Sequence, residues 1–267
     1  MTAAPEWAVR AEGTGRPLVL LHGFTGSGAV WDEHAVALGP GRRLIVPDLP
    51  GHGQTVAATR RDASVESSAE ALAQLLQGHR AVPADVLGYS LGARVALRLA
   101  VTHPDVVARL ILESPSAGIA SEPDRADRRR ADEALARRLE AEGIEAFVDA
   151  WERQPIFRTH SSMPPQRRAR VRAIRLASAA EGLAASLRGA GQGSMEPLFA
   201  RLGGIAAPTL VIAGALDATG LERARLVVDG IPGARLEMVR DAGHTPHDEQ
   251  PDTFRRLVLD FLEEPAR

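Results

Sequence analysis

The chain has 267 residues, 45% hydrophobic and 25% charged, which suits one large α/β domain with a modest insertion. No apolar run approaches the ~18 to 20 residues of a membrane helix, and no basic segment followed by an apolar stretch opens the chain, so we expect a soluble cytoplasmic protein without a membrane partner. The net charge of −2 excludes a generally basic nucleic-acid binder, and the absence of cysteine excludes disulfides and thiolate chemistry.

Short runs rich in Leu, Ile and Val recur along the chain, and each is typical of a buried parallel strand that is apolar on both faces. In chain order, the predicted strand segments are residues 16–24, 42–53, 84–90, 107–114, 207–214 and 234–244. Segments with helical spacing, such as 65–76 and 91–100, separate them. This alternation predicts an α/β fold with an open, mostly parallel central sheet and helices on both faces.

The alternation stops between residues 119 and 202, where helical spacing is interrupted by glycine or proline. The predicted breaks are Gly143, Pro155, Pro164 and Gly189. We therefore expect residues 119–202 to form an all-helical insertion, the cap, on a core made of residues 1–118 and 203–267. All 32 basic residues of the chain are arginine, so an arginine in the cap is informative only through its position; most are expected to face solvent beside i,i+4 acids.

The sequence Gly88-Tyr89-Ser90-Leu91-Gly92 matches the G-x-S-x-G pattern of a nucleophile elbow. An apolar strand precedes it and an amphipathic helix follows it, which is the context that the pattern requires. The strained turn brings the neighbouring strand and helix so close that only glycine fits on either side of the serine. The sequence therefore predicts Ser90 as a nucleophile or base.

A serine hydroxyl needs a histidine to accept its proton and an acid to orient that histidine. Asp217 and His244 follow strands later in the chain, in the order Ser, acid, His that is expected at the carboxyl ends of such a sheet. Glu113 is a rival acid because it also closes a strand, and His247 is a rival base. Asp217 is preferred on chain order, although it could instead cap the helix that begins near residue 221.

An oxygen that gains negative charge during acyl transfer or enolate formation is stabilised by backbone N–H groups aimed at it. The candidate amides are those of Leu91, just after the serine, and Phe24, just after His22 and Gly23. His22 itself is expected to be a structural hydrogen-bonding residue. The chain lacks G-x-G-x-x-G after its first strand, a P-loop lysine and H-E-x-x-H, so we expect no nucleotide cofactor and no metal.

Several phrases together resemble a particular branch of the α/β-hydrolase superfamily. These are LHGFTGS, DLPGHG, GYSLGAR, LESPSAGI, DAWERQPIF, GLAASLRGAGQGS and AGHTPHDEQP. They look like the 2-succinyl-6-hydroxy-2,4-cyclohexadiene-1-carboxylate synthases of menaquinone biosynthesis, over nearly the whole chain. The resemblance implies an α/β-hydrolase fold with the helical insertion as its cap, and a lyase that eliminates pyruvate from a small polycarboxylate.

The resemblance also implies roles for individual residues. It implies a triad of Ser90, Asp217 and His244, an oxyanion hole of the Phe24 and Leu91 amides, and substrate contacts from Tyr89, Arg94, Arg128, Trp151 and Arg175. Guanidinium groups suit a substrate with three carboxylates because each can bind one bidentately.

Two departures from the family pattern concern this site. Ala93 replaces a usual glycine, and Glu152 stands where an aromatic is common, so an inward-facing Glu152 would indicate a different substrate. The register of Arg128 is open because Arg125, Arg129 and Arg130 are close by.

Two other functions stay open at this point. One is a serine esterase or thioesterase that forms an acyl-enzyme on Ser90. The other is a non-catalytic ligand-binding module on the same fold. In each case we expect a small-molecule partner, no nucleic acid, and a monomer or homodimer.

Overall fold

The computed structural model describes residues 7–57, 59 and 61–264. Within these residues the strands are β1 (Val9–Gly13), β2 (Arg16–Leu21), β3 (Arg42–Pro47), β4 (Ala84–Tyr89), β5 (Val107–Glu113), β6 (Thr209–Gly214) and β7 (Arg235–Val239). They form one sheet in the order β1-β3-β2-β4-β5-β6-β7. β1 runs antiparallel to β3, and every other neighbouring pair is parallel, which confirms the predicted fold class.

Helices connect the strands and cover the sheet. They are α1 (Asp32–Leu38), α2 (Val65–Gly78), α3 (Leu91–Thr102), α4 (Glu122–Glu152), α5 (Pro165–Leu176), α6 (Ala180–Ala190), α7 (Ala218–Gly230), α8 (Pro246–Glu249) and α9 (Pro251–Glu263). Short 3₁₀ turns lie at Gly28–Trp31, Pro104–Val106, Pro155–Ser162 and Phe199–Gly204. No helix in the described part of the chain combines the length and the apolar character needed to cross a bilayer.

The two faces of the sheet bury separate cores. Along β2, Val19 and Leu21 contribute to the core covered by α2, α3 and α7, whereas Leu18 and Leu20 contribute to the core covered by α1 and α9. All four side chains are fully buried because successive residues of a strand point to opposite faces. This double burial explains why the strand sequences are continuous apolar runs.

Each of the six predicted strand segments contains a strand, but several end earlier than predicted. The segment 42–53 is extended only to Pro47, after which the chain turns, and the segment 234–244 only to Val239. β1 was not among the predicted strands. It is an edge strand that is largely exposed, so its sequence, VRAEG, lacks the apolar run that marks the others.

Between β5 and β6 the described chain contains helices and no strand, while the limits 119 and 202 stay a prediction. α4 and α6 pack through a small core of their own that includes Phe147, Leu183 and Leu187. Gly143 interrupts α4 with φ 81° and ψ 176°, which confirms the predicted break.

Of the three other helix breaks predicted in this region, the structure confirms two and contradicts one. Pro155 begins a 3₁₀ turn and Pro164 caps α5, so both predictions are confirmed. The predicted break at Gly189 is wrong, because α6 continues to Ala190 and is followed by Gly191. A glycine inside a helix costs only about 1 kcal/mol relative to alanine, and the burial of this end of α6 offsets that cost.

Candidate active site

The turn between β4 and α3 forces Ser90 into an unusual backbone conformation, with φ 50° and ψ −100°. A Cβ atom on Gly88 would collide with the carbonyl of Gly92, and one on Gly92 would collide with the carbonyl of Leu21. The two glycines therefore allow the strand and helix to approach each other closely. This strained turn presents the Ser90 hydroxyl at the carboxyl edge of the sheet.

Ser90, His244 and Asp217 lie in one hydrogen-bonded chain. Ser90 Oγ lies 3.1 Å from His244 Nε2, and His244 Nδ1 lies 2.8 Å from Asp217 Oδ2. A proton on Nδ1 satisfies both contacts, because Nδ1–H then donates to the carboxylate and Nε2 accepts from the serine hydroxyl. This arrangement can remove the proton of Ser90 and stabilise the imidazolium that forms.

Asp217 caps α7 as well as orienting His244. Its Oδ1 accepts a hydrogen bond from the Gly220 N–H at 2.9 Å, while its Oδ2 faces the histidine. Burial alone would raise the pKa of Asp217, but the hydrogen bond and charge of His244, together with the Gly220 N–H, hold it below its ordinary value. The carboxylate therefore stays ionised beside the histidine.

Glu113 and His247, the rival acid and base, bind each other. His247 Nδ1 lies 2.8 and 2.9 Å from the two carboxylate oxygens of Glu113, and both side chains are essentially fully buried. Burial would lower the pKa of His247, but the carboxylates of Glu113 and Asp248 raise it to about 10. The pair is thus a buried ion pair whose side chains form no hydrogen bond with the Ser90 hydroxyl, although the backbone carbonyl of Glu113 accepts a hydrogen bond from the Ser90 N–H at 2.9 Å.

His22 has the structural surroundings expected of it. Its Nε2 accepts a hydrogen bond from the Leu49 N–H at 2.9 Å, so the proton lies on Nδ1, which donates to the Gly23 carbonyl at 2.8 Å. Burial lowers the pKa of His22 to about 4, which keeps it neutral. The neighbouring amides of Phe24 and Leu91 donate no hydrogen bond to any residue in the described ranges and are free to bind an oxyanion.

A cavity of about 190 Å³ lies over Ser90, between the sheet edge and the cap helices. Its wall includes Phe24, Tyr89, Ser90, Leu91, Arg94, Arg128, Trp151, Arg223 and His244. Three of these residues are arginines, and among the described residues no carboxylate side chain lines the cavity. Nor does the described part of the chain cluster three or more His, Asp or Glu side chains as a metal site would require. The cavity is suited to an anionic ligand.

The family model for the alpha/beta hydrolase fold matches residues 16–251. The chain belongs to the α/β-hydrolase family.

Individual α/β hydrolases resemble the chain over nearly its whole length. A Bacillus subtilis protein, provisionally named as a 2-succinyl-6-hydroxy-2,4-cyclohexadiene-1-carboxylate synthase, is 37% identical over 96% of this chain and 94% of its own. The synthase of that name from Salmonella paratyphi C is 31% identical over 88% of each chain. These similarities confirm the branch of the family that the sequence phrases indicate.

Solved structures show the same relationship. The structure of MenH from S. aureus is 32% identical, with a TM-score of 0.92 over 96% of this chain and 97% of that one. A thermophilic esterase from Thermogutta terrifontis, solved with malate bound, is 28% identical, with a TM-score of 0.85 over 98% of this chain and 95% of its own. The same fold therefore occurs both in a MenH protein and in an esterase.

In this α/β hydrolase, two of the three arginines that the resemblance assigns to the substrate line the Ser90 cavity. Arg94 is buried, donates from Nη1 to the Ala190 carbonyl at the end of α6, and has its pKa lowered to about 10 by burial and then by the charge of Arg128. Arg128 Nε donates to Asp132 Oδ1 at 2.8 Å.

Of the four neighbouring arginines, the structure places only Arg128 in the cavity wall, and its role toward the substrate stays a prediction. Arg125 and Arg129 both donate to Glu122, and Arg130 pairs with Asp127. None of these three lines the cavity, whereas Arg128 does.

The third arginine, Arg175, is not among the residues that line the Ser90 cavity; it lines a smaller neighbouring pocket with Phe24 and Tyr89, and its contact with the substrate stays a prediction. Its Nη1 donates to Glu152 Oε1 at 2.9 Å, and its guanidinium lies 4.7 Å from the centre of the Phe157 ring, which is itself part of the cavity wall. Glu152 also accepts from Arg172 at 2.9 Å and does not face the cavity. Two guanidiniums thus neutralise this acid outside the candidate site.

Aromatic side chains form the remaining wall of the cavity. The Trp151 ring lies 5.3 Å from Phe24 and 5.7 Å from Phe157, measured between ring centres. Tyr89 packs 5.6 Å from the His244 ring, and burial raises the pKa of its phenol, so the group stays neutral. Such a wall can pack against an apolar ring and exclude water from it.

Sequence reasoning missed Arg223, which lies on α7 and lines the same cavity. No local motif marks it. The available signal was its position on α7, about one turn after Gly220, which also lines the cavity.

Proposed function

We propose that this chain is a carbon–oxygen lyase, a 2-succinyl-6-hydroxy-2,4-cyclohexadiene-1-carboxylate synthase that eliminates pyruvate in menaquinone biosynthesis. The observation that carries the proposal is the Ser90–His244 pair in a cavity whose described wall contains three arginines and no carboxylate. The similarity to the B. subtilis, S. paratyphi C and S. aureus proteins supports it.

The chemistry follows from comparing substrate with product. In 2-succinyl-5-enolpyruvyl-6-hydroxy-3-cyclohexene-1-carboxylate, carbon 2 bears a hydrogen next to the succinyl ketone, and carbon 5 bears the enolpyruvyl oxygen. The product has double bonds at carbons 2 and 4. The bond from carbon 2 to hydrogen and the bond from carbon 5 to oxygen must therefore break, and the enolpyruvate leaves and takes up a proton to become pyruvate.

Each part of the candidate site has a task in this elimination. His244 accepts the proton of Ser90, and the Ser90 oxygen then removes the hydrogen from carbon 2, so that the serine acts as a base. The ketone oxygen becomes a dienolate oxygen, which the Phe24 and Leu91 amides stabilise. Asp217 stabilises the imidazolium of His244 throughout.

The charge of the cavity matches the charge of this substrate. The succinyl group, the enolpyruvyl group and carbon 1 each carry one carboxylate, and three guanidinium groups line the cavity. The aromatic wall around Trp151 provides an apolar surface for the ring. An uncharged ester would leave the guanidinium of Arg223 without a partner among the described residues, at a cost in binding.

The experiment that tests the proposal is a pyruvate-release assay. Purified protein is mixed with the cyclohexene substrate, and pyruvate is followed by coupling to lactate dehydrogenase and NADH. We expect release well above the enzyme-free background. A folded protein that gives no release above background would exclude the lyase function.

The second candidate function is a serine esterase, which the similarity to the Thermogutta terrifontis esterase favours. Ser90 would then form an acyl-enzyme. A burst of nitrophenol from a nitrophenyl ester and labelling of Ser90 by a fluorophosphonate, without pyruvate release from the cyclohexene substrate, would support the esterase over the lyase.

A further inference from the structure

Arg223 lies in the second turn of α7, where two cavities meet. It lines the Ser90 cavity and also an outer pocket of about 300 Å³ between the cap turn Pro155–Ser162 and the loop that contains Asp217. Gly220, one turn earlier on the same helix, also lines the Ser90 cavity, so this face of α7 points toward the nucleophile.

The three arginines of the cavity differ in their partners. Arg128 is paired with Asp132, and Arg94 donates to the Ala190 carbonyl. Arg223 has no hydrogen bond and no ion pair with any residue in the ranges 7–57, 59 and 61–264. Its guanidinium is the one in the described cavity wall with all of its donors available to a ligand.

The surroundings of Arg223 leave its charge uncompensated. The side chain is half-buried, and burial followed by the positive charge of Arg128 lowers the pKa of the guanidinium. Two acids act on it, and neither forms an ion pair with it: Asp217, which has the larger effect, already accepts hydrogen bonds from His244 and from the Gly220 N–H, and Glu222 is its exposed neighbour in the chain. An anion in the cavity would relieve the repulsion between the arginines and satisfy the free donors.

We propose that Arg223 binds a carboxylate of the substrate where the Ser90 cavity meets the outer pocket. Arg175 is engaged by Glu152 and does not line the cavity. The planar fork of Arg223 suits a bidentate carboxylate, and its position selects substrates with an anionic group at the outer end of the cavity. The assignment to a polycarboxylate rests on the proposed function.

The direct test is calorimetric binding of propane-1,2,3-tricarboxylate, a triply anionic probe that needs no turnover, to the wild type and to variants. We expect Arg223→Gln to weaken binding by roughly 10- to 100-fold, because a charge-assisted hydrogen-bonded pair is lost. Arg223→Lys keeps the charge without the fork and should give a smaller loss. Arg225→Gln, a change at an exposed arginine on the same helix, should leave the affinity unchanged.

A kinetic measurement separates this proposal from the proposed function. With the cyclohexene substrate, Arg223→Gln should raise KM by roughly 10-fold or more and change kcat little, because the pair is present in both the ground and the transition state. If the wild type releases no pyruvate, the proposed function fails, while calorimetry still tests Arg223. Equal tricarboxylate affinities of wild type and Arg223→Gln, including no measurable binding by either, would overturn the proposal.

Discussion

At the scale of single residues, Asp217 has two tasks that can be separated by substitution. One carboxylate oxygen accepts from the Gly220 N–H and caps α7, and the other lies 2.8 Å from His244 Nδ1. Asparagine caps a helix about as well as aspartate does, but it has no negative charge to stabilise an imidazolium.

We therefore expect Asp217→Asn and Asp217→Ala to differ in stability but not in activity. Both variants should lose roughly 10²- to 10⁴-fold in kcat for pyruvate release, because His244 loses its ionised partner. Urea unfolding should show Asp217→Asn close to the wild type and Asp217→Ala less stable by about 1 kcal/mol, because only alanine removes the cap. Equal stability of the two variants would contradict the capping role.

The triad residues could be predicted from the sequence, whereas the positions of two arginines near the site could not. Ser90, Asp217 and His244 each follow an apolar strand, and the ends of parallel strands meet at one edge, so their proximity follows from local patterns. Arg175 and Arg223 follow no such pattern. Where their side chains lie depends on how cap helices and α7 pack around the cavity, and in a chain whose cations are all arginine their identity gives no signal.

At the scale of elements, α3 connects the nucleophile to the cap. Its first residue, Leu91, offers an amide to the candidate oxyanion hole, and Arg94, one turn later, donates to the Ala190 carbonyl where α6 ends. Arg94 is only 8% exposed, so this bond forms in surroundings where it is stronger than at a surface. The helix that positions Ser90 therefore also holds one end of the cap over the cavity.

The break within α4 depends on Gly143, because only glycine readily adopts the backbone conformation found there. Gly143 has φ 81° and ψ 176°, a region that is essentially restricted to glycine, and a Cβ atom there would meet no other atom within 4 Å. The cost of a side chain at this position is therefore a backbone cost alone.

We expect Gly143→Ala to lower the free energy of unfolding by about 1 to 3 kcal/mol in a urea titration. Gly78→Ala is the matched control, because Gly78 closes α2 with equally open space around its Cα and without a positive φ. That variant should be neutral or slightly stabilising. Similar losses in both variants would contradict the assigned cause.

Elements differed in how well the sequence predicted them, for a physical reason. β2 to β6 are buried along most of their length, and their apolar composition marks them. The two edge strands are largely exposed, and β7 was predictable because it keeps Leu236, Met238 and Val239, whereas β1 is held by its backbone pairing with β3 and has no apolar run. Gly189 lies inside α6 because tertiary burial outweighs its weak local preference.

At the scale of the whole molecule, the four buried histidines outside the triad divide into two groups with opposite pH dependence. Burial lowers the pKa of His22 to about 4 and of His34 and His52 to about 3. For His247, burial is outweighed by Glu113 and Asp248, and its pKa is raised to about 10. The folded state therefore holds neutral and protonated histidines side by side near neutral pH.

We expect the free energy of unfolding to be largest near pH 6.5 to 7. Below pH 6.5, His22, His34 and His52 become protonated in the unfolded chain but stay neutral in the folded protein until pH 3 to 4. The free energy of unfolding therefore falls by up to about 1.4 kcal/mol per pH unit for each of these histidines. The contribution of His247 is fully present below pH 6.5 and is lost as the pH rises through about 10. Urea titrations from pH 5 to 9 measure the fall in stability on both sides of this maximum. A free energy of unfolding that stays constant from pH 7 to 5 would contradict the assignment of His22, His34 and His52 as neutral.

The proposed role of Ser90 as the base of an elimination in this cavity is decided by measuring pyruvate release by Ser90→Ala. The wild type should release pyruvate from the cyclohexene substrate, and a folded Ser90→Ala variant that retains calorimetric binding of the tricarboxylate should be slower in kcat by about 10³-fold or more. A Ser90→Ala variant that releases pyruvate at the wild-type rate would contradict the account.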